Sequence, residues 1–377
     1  MDTYRRHKLI YRLLADLLSP VIRTRFNMIT EELHIDGPFL LVSNHVTSWD
    51  PLLVGICLGH RQAYFVASEH LFRIGLLTKA INWLLAPIPR RKASTGMDTV
   101  KSCLRHLHAG HSVCLFAEGE QSWDGRSAPI FPATGKLAKS SGAALVTFRL
   151  EGAYLSLPRW GKHICRGAVR GHPVGCYSPE QLKALSPGEI NALIERDIRA
   201  DAWERQRAHP VRYRGKCRAE GMPRALYACP ECRRIGTLEA IKDRVFCSCG
   251  FERNYTEYGF FEPKDPFETI ADWDQWQREL LRSREFPHEG ILLFSDDGLE
   301  LKLIHPDHSE EVLASGTLRQ FEDRLECGGN SFSLSEITNM ALVQTHLMLF
   351  SCSGSYYQIR SSTGVNLRKY LEIWKEQ

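Results

Sequence analysis

No apolar run in this sequence reaches the roughly 18 residues that a membrane-spanning helix needs. Excess charge is also missing, except in one place. The chain of 377 residues holds 48 Lys and Arg against 44 Asp and Glu, a net charge of +4. Residues 1–25 account for that excess. There Arg5, Arg6, Lys8, Arg12, Arg23 and Arg25 stand against Asp2 and Asp16, and the rest of the chain sums to zero. A chain neutral over most of its length is not a global nucleic-acid binder; its charge suits one local anionic partner. The start lacks a secretory pattern, because its apolar residues alternate with charges and no small-residue cleavage site follows. Twelve cysteines without such a signal predict a reducing compartment, where they serve as buried thiols or metal ligands rather than disulfides. Internal repeats and low-complexity tracts are lacking. A content of 43% hydrophobic and 24% charged residues excludes disorder, collagen and coiled coil for the whole chain.

At roughly 100–200 residues per domain, the length predicts two or three domains. In residues 8–22, Ile10, Leu13, Leu14, Leu17, Leu18 and Val21 recur at helical spacing among Arg and Lys. Residues 1–25 therefore read as a basic amphipathic helix. Its stripe fits an anionic membrane interface and a seat on the protein core equally well. Between residues 30 and 160, four short apolar runs read as buried strands: 39–42, 63–66, 113–116 and 144–148. Helical stretches near 51–59, 69–85, 96–109 and 133–141 separate them. This order predicts an α/β domain over 26–205 with a largely parallel sheet, its site at the carboxyl ends of the strands. Residues 71–86 read as a buried helix or one that meets lipid, and 188–207 as an exposed helix. Residues 206–226 read as a basic linker. From about 290 the pattern changes to short alternating strands closed by a helix bearing Val365, Leu367, Leu371 and Trp374. This predicts a β-rich domain over 288–377, and the order resembles a pleckstrin-homology-like barrel.

Four segments carry chemistry. Asn44-His45-Val46-Thr47-Ser48-Trp49-Asp50 follows the first strand directly. The five-residue span across a turn can bring the Asp50 carboxylate against one imidazole nitrogen of His45. The other nitrogen is then free to accept a proton from an alcohol. No Ser or Cys sits in a nucleophile-elbow context, so the histidine would activate the acceptor itself. Phe116-Ala117-Glu118-Gly119-Glu120-Gln121-Ser122 also follows a strand. A carboxylate and a glycine there suit a hydroxyl-bearing headgroup, with Gly119 permitting close backbone approach. Pro87-Ile88-Pro89 leads into Arg90, Arg91 and Lys92, and Arg90 can take a phosphate bidentately. Val146-Thr147-Phe148-Arg149-Leu150-Glu151-Gly152 is a strand running into a turn.

In this order and spacing, the segments resemble the glycerolipid acyltransferases, the PlsC-like family of lysophosphatidate and glycerol-3-phosphate acyltransferases. The NHxxxxD motif is complete in Asn44, His45 and Asp50. Phe116, Glu118, Gly119 and Ser122 match the FPEGTRS-type motif, Pro87–Arg90 partly matches FIxR, and 145–149 loosely matches the fourth. The resemblance implies His45 as general base supported by Asp50. It implies acceptor binding by Asn44, Arg90, Arg91, Glu118, Gly119 and Ser122, and acyl-CoA or acyl carrier protein as donor. A lysolipid acceptor implies a cytoplasmic enzyme, peripheral on the inner face of the membrane through residues 8–22. Where the family has Thr-Arg, this chain has Glu120-Gln121. The loss of that arginine and the gain of an acid put glycerol 3-phosphate in doubt and point to a lysophospholipid, unless Arg91, Lys92 or Arg149 compensates. Ala117 stands where proline is usual.

Cys229-Pro230-Glu231-Cys232 and Cys247-Ser248-Cys249 are separated by fourteen residues. Two close thiolate pairs suit tetrahedral zinc, and the pattern resembles a zinc ribbon over 227–262, with Cys217 as a substitute ligand. Four thiolates leave no open position, so the zinc would be structural. Cys57, Cys103, Cys114, Cys165, Cys176, Cys327 and Cys352 read as buried small apolar residues, and His106, His108 and His111 as a surface turn. Two other readings remain. One is a nucleic-acid- or protein-binding ribbon with a degenerate acyltransferase domain, though few stacking aromatics accompany its cations. The other is a thioester hydrolase using the same His–Asp pair on water.

Overall fold

The computed structural model describes residues 3–69, 76–90, 96–307 and 309–377, with the backbone alone at 76–78. These residues divide into two compact units. One runs to Gly215 without Trp160–His163; the other takes Trp160–His163 and Lys216–Gln377.

The first unit begins with helix α1 (Thr3–Phe26) and strands β1 (Met28–Thr30) and β2 (Phe39–Ser43). Then come α2 (Asp50–Cys57), β3 (Ala63–Ser68), α3 (Leu76–Leu84), β4 (Ile88–Arg90), α4 (Met97–His108) and β5 (Ser112–Phe116). It continues with α5 (Ala133–Ser140), β6 (Ala144–Glu151), the short α6 (Ala153–Ser156) and β7 (Val169–Tyr177), and ends with α7 (Pro179–Ala184), α8 (Pro187–Ile198) and α9 (Ala202–Ala208). Among the described residues the strands form one sheet in the order β1-β7-β6-β2-β5-β3-β4. Pairing is parallel throughout, except for β6 against β7. The α/β fold with a largely parallel sheet is as expected. β2, central and buried at all five positions, reads as a continuous apolar run because helices and neighbouring strands cover it on every side. Leu40, Val42, Val113, Leu137, Leu145 and Ile190 share one core.

Three local readings change. The 188–207 helix is two helices, α8 and α9, and it is not exposed: Ile190, Ile194, Ile198 and Trp203 are buried. Ser178 and Ser186 each start a helix with a capping box, to Gln181 and Glu189, and a proline at the first turn fixes the entry. Residues 206–226 are not a solvated connector. They divide between the units, and Tyr213, Ala219, Met222, Ala225 and Leu226 are buried between the cations.

The N-terminal helix is the third. Its buried residues are His7, Tyr11, Ile22 and Phe26. His7 Nδ1 shares a hydrogen bond with the Tyr64 hydroxyl at 3.1 Å, Tyr11 donates to the Gly55 carbonyl at 2.8 Å, and Tyr4 stacks on His111 at 4.0 Å. His7, Tyr11, Ile22 and Phe26, not the leucine stripe, seat this helix. Leu9, Leu13, Leu17 and Val21 stay 51–69% exposed. Trp83 on α3 is 56% exposed, so residues 71–86 are not a wholly buried helix where described. No helix among the described residues is long and apolar enough to cross a membrane. His106 and His111 pack with Tyr64, while His108 contacts the Ser140 carbonyl, so the three histidines do not form one cluster.

In the second unit, β8 (Leu238–Ile241), β9 (Arg244–Cys247), β10 (Glu252–Tyr255) and β11 (Phe261–Glu262) form an antiparallel sheet in the order β11-β10-β9-β8. α10 (Ile270–Ser283) follows, started by a capping box between Thr269 and Asp272. Next come β12 (Leu292–Ile304), β13 (Glu310–Phe321), β14 (Arg324–Cys327), β15 (Asn330–Ser333), β16 (Ile337–Val343), β17 (Leu347–Cys352) and β18 (Ser355–Ser361). They form a seven-stranded antiparallel sheet in the order β15-β14-β13-β12-β18-β17-β16, and α11 (Arg368–Lys375) closes the chain. The C-terminal region is β-rich, as expected. Cys57, Cys103, Cys114, Cys165, Cys327 and Cys352 are buried, but Cys176 is exposed, because it lies on the antiparallel edge segment of β7.

Candidate active site

β2 and β5 are hydrogen-bonded neighbours, and their last residues, Ser43 and Phe116, are register partners. The two chemical segments therefore leave the sheet side by side at carboxyl ends, as this fold class demands. After Ser43 the chain turns into α2, whose first residue is Asp50.

His45 Nδ1 lies 2.7 Å from Asp50 Oδ2. The same oxygen accepts the backbone N–H groups of Val46 (2.6 Å) and Thr47 (3.0 Å), and Asp50 is fully buried. The carboxylate is thus fixed by the turn before it meets the imidazole. The ring stacks on Phe116 at 4.4 Å, and its side chain keeps 17% exposure. With Nδ1 committed, Nε2 is the nitrogen available to an alcohol proton.

Asn44 has a bracing part in the structure. It is fully buried; Nδ2 donates to the Leu150 carbonyl (2.9 Å) and Oδ1 accepts the Leu150 N–H (2.8 Å). It stitches the His45 turn to the end of β6. Ser122 is likewise held by backbone groups. Its hydroxyl donates to the Arg126 carbonyl (2.7 Å) and accepts the Gly125 N–H (2.9 Å), closing a turn, while its N–H holds the His45 carbonyl (2.8 Å).

Glu118 is buried. Its two oxygens accept the N–H groups of His45 (3.2 Å) and Ala128 (2.9 Å). Burial pushes its carboxyl up to about 8; Asp50 and Asp124 add to the rise and the two N–H donors oppose it. A carboxyl raised in the fold favours the protonated state, so its contribution to stability is present below the ordinary carboxylate range and lost as pH rises through about 8. Urea unfolding at pH 5 and pH 8 is expected to show wild type losing stability relative to Glu118→Gln across that window. A constant gap between the two proteins would refute the assignment.

Gly119 has φ +72, and a Cβ there would sit 2.1 Å from the Phe131 ring and 3.0 Å from Arg90 Nη1. Glycine is needed because Phe131 and Arg90 close over this backbone. The Arg90 guanidinium lies 4.1 Å above the Phe131 ring, so Arg90 is brought to the Glu118–Gly119 turn. Burial lowers its proton affinity and Glu120 opposes that. Arg91 and Lys92 lie outside the described residues.

The residue that sequence reading missed is Arg159. Its side chain is 2% exposed and lies 3.7 Å over the Trp123 ring. It pairs with Glu120 at 3.4 Å and donates to the Gln121 carbonyl at 2.9 Å. The acid expected to repel an acceptor phosphate thus has a buried cation against it, which weakens that argument. No motif spacing announces Arg159, which is 39 residues away from Glu120. Arg149 donates through Nε to the Asp197 carbonyl (2.9 Å), and beside it opens a cleft of about 230 Å³ lined by Val46, Arg196, Arg199, Glu151 and Arg205 among others.

In the second unit Cys229, Cys232, Cys247 and Cys249 converge. Sγ–Sγ distances are 3.6 Å for Cys229–Cys249 and 3.8 Å for Cys232–Cys247. Tetrahedral zinc with sulfur ligands at about 2.3 Å requires edges of about 3.8 Å. The knuckles are set by left-handed Arg233 and Gly250. Cys217 is not among these four.

Residues 25–151 match the family model named Acyltransferase. Two curated proteins are similar to this chain. A chloroplastic 1-acyl-sn-glycerol-3-phosphate acyltransferase of Brassica napus is 29% identical over 175 residues, 45% of this chain and 50% of that protein. Its counterpart in Arabidopsis thaliana is 28% identical over 174 residues, 45% of this chain and 48% of that protein. The chain thus spans about half the length of these relatives. The crystal structure of the 1-acyl-sn-glycerophosphate acyltransferase PlsC from Thermotoga maritima is 16% identical, with a TM-score of 0.36, over 52% of this chain and 96% of that one. Over residues 25–151 this chain is thus similar to the acyltransferase family. The curated proteins it is similar to are both 1-acyl-sn-glycerol-3-phosphate acyltransferases.

Proposed function

We propose that this protein is an O-acyltransferase that moves a fatty acyl group from an acyl-CoA or acyl-carrier-protein thioester to the hydroxyl of a lysophospholipid. The observation that carries the reading is the His45 Nδ1–Asp50 pair at 2.7 Å. His45 Nε2 takes the acceptor's hydroxyl proton as the oxygen attacks the thioester carbonyl. The C–O bond forms, the tetrahedral oxyanion collapses, the C–S bond breaks, and the thiolate leaves with the proton held on the imidazolium. Asp50 keeps the tautomer and stabilises the imidazolium. A thioester is already activated, so base catalysis and positioning suffice. Arg90, beside Gly119 and opposite Glu120, is the residue of choice for the acceptor's phosphate.

A thiol-release assay with long-chain acyl-CoA, with and without lysophospholipids and glycerol 3-phosphate, tests this. Release that depends on a lysophospholipid is expected. Release without any acceptor would replace the reading with a thioester hydrolase, and no release from CoA or carrier thioesters would remove it.

The reading includes a seat on the inner face of a cytoplasmic membrane. The exposed row Leu9, Leu13, Leu17 and Val21, set among Arg5, Lys8, Arg12 and Arg25, supports it. Burying two leucines in lipid contributes about 3 kcal/mol, roughly a 10²-fold change in partition. Leu13→Glu with Leu17→Glu is therefore expected to lower binding to anionic vesicles about 100-fold in co-sedimentation. Unchanged binding would move the membrane contact elsewhere. The cysteine cluster fits a structural zinc that its four thiolates would hold, closed to substrate.

A further inference from the structure

We propose that His163, Cys217 and Glu220 form a second metal site, one that takes a borderline divalent cation such as zinc and leaves a coordination position open to water. One donor atom from each residue lies within 4.8 Å of the other two. His163 Nε2 and Glu220 Oε2 are 3.4 Å apart. A tetrahedral zinc with nitrogen and oxygen ligands at about 2.0–2.1 Å has an edge of about 3.3 Å.

The local fold holds these groups in place. The turn from Cys217 to Glu220 is closed by the Glu220 N–H to the Cys217 carbonyl (3.2 Å). It is pinned to the β8–β9 hairpin turn by the Arg218 N–H to Asp243 Oδ1 (2.8 Å) and the Ala219 N–H to the Lys242 carbonyl (2.9 Å). Cys217 is held left-handed at φ 59, a conformation that a cysteine seldom adopts. The Trp160–His163 segment comes up against the next residue: a Cβ on Gly221, at φ +93, would sit 2.0 Å from the Trp160 carbonyl. That approach delivers His163 to a turn 57 residues further along the chain.

The donor set decides the ion. Magnesium and calcium take oxygen ligands. A thiolate, an imidazole and a carboxylate together select zinc or a neighbouring transition metal. Three ligands from the protein leave a fourth position for water, unlike the closed four-cysteine cluster, so this metal should exchange more readily. Its role would be to clip the 160–163 segment to the 217–220 turn.

The test is metal content by mass spectrometry after apo full-length protein is reloaded with Zn²⁺ and passed through a desalting column. Wild type is compared with His163→Ala and Cys217→Ser. The expected result is one equivalent fewer in each variant. Co²⁺ loading gives a second readout, in which the thiolate charge-transfer band of the four-cysteine cluster persists and serves as the check on folding. His163 is half-exposed, so its alanine variant decides the matter if Cys217→Ser misfolds. Equal metal content in wild type and His163→Ala overturns the proposal, whatever the four-cysteine cluster binds.

Discussion

Replacing His45 by alanine is expected to lower acyl transfer about 10²–10⁴-fold, the usual contribution of a positioned general base. The fold and the metal content should not change, because the imidazole keeps 17% exposure and its removal takes away only one of the hydrogen-bond partners of the acceptor Asp50 Oδ2. That oxygen still accepts the Val46 and Thr47 N–H groups, so the turn survives. The loss should appear in kcat, with KM for the acyl donor little altered, since the base acts on the acceptor proton in the transition state. Asp50→Asn should also lower kcat but is a harsher change. Asp50 Oδ2 holds three groups at once, and an amide swapped in would oppose an N–H to one of them. A His45→Ala protein with normal turnover would end the mechanism, whatever the lipid specificity.

Replacing Cys232 by serine is expected to release the metal and loosen the ribbon. The apparent binding energy of a structural zinc, roughly 10–16 kcal/mol, is folding energy for the segment that surrounds it. The consequences reach α10. Trp273 Nε1 donates to the Ala228 carbonyl at 2.9 Å, next to the first ligand, and its ring meets Phe251 and Phe261 edge-on at 5.4 Å. Gln277 Oε1 accepts the Tyr227 N–H at 2.8 Å. When the knuckles open, this helix loses its buried polar partners as well as its aromatic neighbours. A loss of about 4 kcal/mol corresponds to a fall of about 8–16 °C in the midpoint of a unit of this size. Differential scanning calorimetry with metal analysis reads both, and near-UV circular dichroism should report the change around Trp273. Unchanged metal content and midpoint would remove the zinc assignment.

How legible the protein was from its residues depended on the range of the interactions. The strands at 39–42, 63–66, 113–116 and 144–148 stood out because central strands of a covered parallel sheet are continuous apolar runs. The edge strands β1 and β4, and β7 beside β1, did not, since they are short or half-exposed and β4 and β7 bear Arg, His or Pro. The His45–Asp50 pair and the two cysteine pairs were legible because each is a local device: a turn of five residues, and two knuckles on one hairpin. The capping boxes at Ser178, Ser186 and Thr269 were equally local and could have been read from the sequence.

The sequence by itself determined the α/β class, the proximity of His45 to Asp50 and the pairing of the cysteines, because residues close in the chain have few ways to be apart. Only the tertiary structure decided what lies against them. It set Asn44 and Ser122 as braces, since their partners Leu150 and Arg126 are placed by strand and turn geometry. It brought buried Arg159 to Glu120 and separated Cys217 from the other four cysteines. It also chose which side of the N-terminal helix faces the protein. A periodic stripe states that a helix has two faces, and only the surface it docks on decides which of them is left to solvent.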